Sequence, residues 1–127
     1  MSEARGGNSM RIMIPVDEEK EKVCVSFGRT PFFLIYDSET KEKSYVDNPA
    51  AEEQGGAGIK AAQCVVDHHA DILVTIRCGE NAAQVFNVAN VKVFKGHHEA
   101  VEKVLQDFLD GKLEELTHFH AGFQGIR

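Results

Sequence analysis

The sequence predicts an α/β domain on a five-stranded mixed sheet, strand order 3-2-1-4-5, with helices on its faces. Three observations carry this. Three short strand-like runs come first and helical stripes alternate with strands afterwards, giving β, β, β, α, β, α, β, α. The fourth run, 71–76 (DILVTI), is too apolar to face water on one side, as expected of a parallel strand covered by helices. A chain of 127 residues with 43% hydrophobic content suits one core. A meander followed by two right-handed crossovers gives that strand order most simply.

Residues 1–9 are polar, glycine-containing and aperiodic, and are expected to be a disordered leader, with the domain running over 10–116. Strand one is 11–16 (RIMIPV), with Pro15, which lacks a ladder donor, near the strand end or a gap in pairing. Strands two (32–37, FFLIYD) and three (43–47) flank the polar loop 38–41 and should pair antiparallel. After Gly58, small and apolar residues Ile59, Ala61, Ala62, Val65 and Val66 recur at helical spacing up to about His69. Ala82, Val85, Phe86 and Ala89 mark a short second helix, and 91–94 (VKVF) the fifth strand. Val101, Val104, Leu105, Phe108 and Leu109 form the clearest helical stripe, stopped by Gly111. The ending, 112–127, has no assigned element and turns into a His-, Phe- and Gly-rich tail over 117–127, whose His118 and His120 are metal-ligand types but read better as a solvated end.

Composition narrows the function. A net charge of −6 without any Lys/Arg-rich window leaves no surface for neutralising nucleic-acid phosphates. No apolar run approaches the ~20 residues that span a bilayer, and the N-terminus lacks a signal-peptide core, so a cytoplasmic protein is expected. Three irregularly spaced cysteines, Cys24, Cys64 and Cys78, argue for reduced thiols rather than a disulfide framework.

If strand four runs parallel to strand one, a single sheet edge collects Asp17, the loop from Cys24 through Ser26 to Arg29, the glycines Gly55, Gly56 and Gly58, Cys78 with Gly79, and Gly96-His97-His98. Ligands of open α/β sheets bind at such an edge, outside the strand carboxyl ends where the topology reverses. The thiols and imidazoles of Cys24, Cys78, His97 and His98 are ligand types for iron, zinc or an iron–sulfur cluster, although no pair has a dedicated spacing. Cys64, mid-helix, reads as a small buried hydrophobe, and His68-His69 as the end of helix one. The glycines suit either backbone N–H contact with an anion or a turn needing positive φ. Cys78, in a glycine loop beside the start of helix one, is expected to be partly exposed and thiolate-prone, and the most reactive of the three thiols. A magnesium-dependent nuclease would need carboxylates beside Asp17, but Asp37 and Asp47 lie at opposite ends of strands two and three.

The ordered motifs RIMIPVDE (11–18), FGRTPFFLIYD (27–37), DNPAAEEQGGAGIKAAQ (47–63), TIRCGENAAQVF (75–86), VKVFKG (91–96) and VEKVLQDFLDGKLEEL (101–116) resemble the dinitrogenase iron–molybdenum cofactor family, which includes NifX-like accessory proteins of nitrogenase assembly. The resemblance implies a three-layer ribonuclease H-like fold. It also implies binding or carriage of an iron–sulfur or iron–molybdenum cluster between donor and acceptor proteins, rather than catalysis. It points to Ser26, Arg29, Gly55, Gly56, Gly58, Gly79 and Asn81 as cofactor contacts, beside the candidate ligands Cys78, Cys24, His97 and His98. Many members carry His where this chain has Ser26, and Pro where it has Glu80. Cys78 is the candidate replacement for the missing ligand. The alternative is an interaction or regulatory domain that keeps the fold without a cluster.

Overall fold

A computed structural model describes residues 10–53 and 55–116. The expected leader and the tail with His118 and His120 lie outside the described residues. Strands β1 (Arg11–Val16), β2 (Phe32–Asp37) and β3 (Lys43–Asp47) form an antiparallel meander. Strands β4 (Ile72–Thr75) and β5 (Lys92–Lys95) extend the sheet in parallel, giving the predicted order β3-β2-β1-β4-β5. Helices α1 (Ala57–Asp67), α2 (Glu80–Val88) and α3 (Val101–Leu109) complete the order read from the sequence.

The two-residue period of the strands sorts their side chains into two cores. Met13, Phe33, Leu73 and Val93 pack with Ala61, Ala62 and Val65 of α1 and Ala82 and Phe86 of α2. Ile12, Ile14, Val16, Leu34, Ile72 and Val74 pack with Val101, Val104 and Leu105 of α3 on the opposite face. The molecule therefore has three layers, and all four residues of β4 are buried, as its uninterrupted apolar run requires. Pro15 costs no ladder bond because the β1–β4 register ends at Met13↔Leu73, two residues earlier. Helix α3 ends in a Schellman turn: Gly111 adopts φ 76°, its N–H bonding to Phe108 O (3.0 Å) and that of Lys112 to Asp107 O (2.9 Å).

Three elements differ in their bounds from those expected. Helix α1 stops at Asp67 rather than His69, because His69 takes φ 60° and turns the chain out of the helix. Strand β4 loses a residue at each end of 71–76, and β5 is shifted one residue from 91–94, because Val91 N–H is held by Phe86 O (2.9 Å) in the exit turn of α2. The stretch after Gly111 was unassigned by pattern, yet 114–116 runs antiparallel to β5. Lys95 N–H donates to Glu114 O and Leu116 N–H to Val93 O, both at 2.8 Å, which covers the edge of the sheet.

Candidate functional site

At the carboxyl end of the parallel strands the loop after β1 folds over the starts of α1 and α2. Ser26 bridges to Arg77 in a parallel β-bridge, and the next residue, Phe27, turns inward against Phe33 (ring centroids 5.8 Å) and edge-on to Phe86 (5.6 Å). Gly28 then lies against the start of α1, where an added Cβ would meet Gly58 N at 3.2 Å. Between these pieces is a cleft of about 360 Å³, walled by residues 25–28, by Gly58, and by Arg77, Cys78 and Gly79. It sits at the crevice between β1 and β4, where the strand order reverses.

The cleft suits an anion. Helix α1 begins at Gly56, with φ 73° and no side-chain cap, and α2 begins at Gly79, also without one. The first N–H groups of a helix have no intrahelical partners and carry the positive end of its dipole. Two such ends meet at one cleft, with the exposed guanidinium-bearing Arg77 beside them. Cys78 lies in the same wall but is only 3% exposed, and its Sγ is directed to Gly79 O at 3.6 Å. Burial pushes its thiol up to about 12. The burial of Cys78 thus overturns the expectation of a partly exposed, thiolate-prone group. Cys64 is also buried, and both burial and the nearby Asp67 carboxylate raise its thiol. Cys24 is the most accessible of the three, its Sγ 3.7 Å from Ser26 O. Native thiol labelling read by peptide mass should therefore find Cys24 modified first and Cys78 last. Labelling of Cys78 ahead of Cys24 would contradict this geometry.

Ser26, Gly58, Cys78 and Gly79 come together in the cleft as expected. Arg29 is turned from it, donating through Nη1 to Glu53 O and tying the loop after β1 to the segment before α1. Gly55 and Gly56 are exposed at the start of α1. Asn81 lines a separate apolar groove between α1 and α2. His97 is exposed, and His98 is engaged through Nδ1 with Val23 O at 2.9 Å. Among the described residues, no three His, Cys, Asp or Glu side chains gather as a metal ion would require. Gly96 has a packing role instead, since a Cβ there would come within 2.9 Å of Val74 Cγ1. Slight desolvation raises the Asp17 carboxyl, but backbone N–H bonds from Glu21, Lys22, Glu19 and Lys20 outweigh it and hold the group below the usual range. Asp17 is thus a loop anchor.

The sequence places the loop holding Val25, Phe27 and Gly28 on this edge but singles out none of the three, nor Arg77, nor the buried polar pair Thr30 and Asn48 behind them. Phe27 carries the clearest signal, a large aromatic side chain between Ser26 and Gly28. A larger groove, about 630 Å³, lies between α2, β5 and the 114–116 segment, with Glu80, Lys92 and Glu115 on its walls.

The family model for the dinitrogenase iron–molybdenum cofactor matches residues 10–111. The chain belongs to the dinitrogenase iron–molybdenum cofactor family. An uncharacterised protein of Methanocaldococcus jannaschii is 27% identical over 109 residues, 84% of this chain and 91% of that protein. The apo structure of the orange protein from Desulfovibrio gigas is similar at 32% identity and TM-score 0.79, covering 85% of this chain and 93% of that one. The NMR structure of a candidate NifB protein from Thermotoga matches at 32% identity and TM-score 0.74, over 87% and 96%. In this member of the family, no helix among the described residues is long and apolar enough to cross a membrane.

Proposed function

We propose that this protein binds an anionic metallocluster, of iron–sulfur or iron–molybdenum type, in the cleft between residues 25–28, Gly58 and Arg77–Gly79, and carries it between a donor and an acceptor protein. The observation that carries this reading is that the first turn of α1, at Gly58, and the uncapped start of α2, at Gly79, border one cleft beside Arg77. Backbone N–H groups and a guanidinium hold sulfide- or oxide-bearing anions by hydrogen bonds and charge, which leaves the cargo releasable. Cys78 at the wall is protonated at neutral pH, so cluster retention does not depend on a preformed thiolate there. The role is carriage rather than catalysis, in keeping with the family. A cytoplasmic setting fits the three free thiols.

The second reading, an interaction domain without a cluster, is favoured by the dispersal of Cys24, Cys78, His97 and His98, which form no ligand set among the described residues. Native mass spectrometry after anoxic reconstitution with iron, sulfide and molybdate separates the two. A stoichiometric metal–sulfur adduct is expected, and an apo mass throughout would overturn carriage in favour of the interaction domain.

A further inference from the structure

One buried side chain behind the cleft is fully used, and all its bonds go to the segments that form the cleft wall and lead to α1. Asn48, 5% exposed, donates through Nδ2 to Gly28 O (3.1 Å) and Thr30 O (2.8 Å), while its Oδ1 accepts from Ala50 N–H (3.0 Å). It thereby joins the loop after β1 to the segment that leads into α1. The two meet at Gly28 and Gly58, where backbone faces backbone and a Gly28 Cβ would stand 3.2 Å from Gly58 N and 3.3 Å from Gly58 Cα. Thr30 fixes the far end of the same loop, its buried Oγ1 donating to Val16 O (2.8 Å) and Phe32 O (3.1 Å).

We infer that Asn48, which is not itself in the cleft wall, is the positioning residue that sets the cleft's width and its affinity for an anion by clamping Gly28 against Gly58. The clamp acts in two ways. It fixes the separation of the Gly28 wall from the start of α1. It also engages the Gly28 carbonyl, an oxygen that would repel an anionic guest if left facing the cleft. This rests on the anion-binding reading of the cleft, but its mechanical part can be tested without any cluster.

Cys78 and Cys64 supply the readout. Both thiols are buried, but Cys78 lines the cleft and Cys64, on α1, does not, so loosening the wall exposes the first and global unfolding exposes both. Asn48→Asp keeps the acceptor for Ala50 but loses both donors. Gly28→Ala leaves Asn48 intact and wedges the wall directly. Native labelling should show the Cys78 to Cys64 rate ratio rising roughly tenfold in both variants, the scale of losing a buried hydrogen bond. In Leu105→Ala, a destabilising change in the opposite core, both rates should rise with the ratio unchanged. Should Asn48→Asp fail to fold, Asn48→Ala, which removes both donors and the acceptor, gives the same comparison. An unchanged ratio in folded Asn48 variants would overturn the inference. The reconstituted Asn48 variants should also release iron and molybdenum faster than wild type. If wild type takes up no metal, the carrier reading fails while the labelling ratio still decides the role of Asn48.

Discussion

Raising the pH from about 9 to about 12 should cost the wild-type protein roughly 3–4 kcal/mol more stability than it costs a Cys78→Ala variant. The cause is the burial of Cys78, which pushes its thiol up to about 12. Below the ordinary thiol value near 8.5 both folded and unfolded chains hold the proton, and the contribution is fully present. Above it the unfolded chain releases the proton and the native chain does not, so stability falls by about 1.4 kcal/mol per pH unit until the native thiol also titrates. Lysines and tyrosines titrate in the same window, which is why the difference between the two proteins is the quantity to measure, by urea unfolding at each pH. Parallel pH dependences would show that Cys78 is not desolvated. The same burial bears on function, because a metal that took Cys78 as a ligand would have to displace that proton and open the wall.

The second large effect is on binding. Arg77→Glu should weaken retention of a reconstituted cluster on the order of 10²-fold, since a charge-assisted hydrogen bond of about 1.5–3 kcal/mol is lost and a like charge replaces it. Arg77 is exposed, so the fold should be unaffected, and unfolding midpoints of the two apo proteins should agree. Lys95→Glu, the same charge change at an exposed position outside the cleft wall, should leave retention near the wild-type value. Equal losses in both variants would mean that only net charge matters and that the cleft is not the site.

The sheet was legible in the sequence because its period-2 runs, the two-sided burial of β4 and the stop at Gly111 each follow from local chemistry. The convergence of the loop after β1 with Gly58 and Gly79 on one edge followed from topology alone. Side-chain exposure did not. The position of Cys78 in a glycine loop suggests an accessible thiol, but Cys78 is buried in the same core cluster as Phe27, Phe33 and Phe86, and such packing is a tertiary property. Asn48, before Pro49, is locally a turn residue, its Oδ1 accepting from Ala50 N–H. Its bonds to Gly28 and Thr30 span 20 and 18 residues and leave no local trace. The 114–116 segment escaped pattern reading because three residues are too few to show a period.

The cleft, and not the imidazole or tail region, is the proposed seat of the cluster. This placement is tested most directly by recording amide NMR spectra of the labelled protein before and after anoxic reconstitution. The account predicts that the perturbed resonances cluster at residues 25–28, Gly58 and Arg77–Gly79. Perturbation centred on His97 and His98, with the cleft amides unmoved, would contradict it.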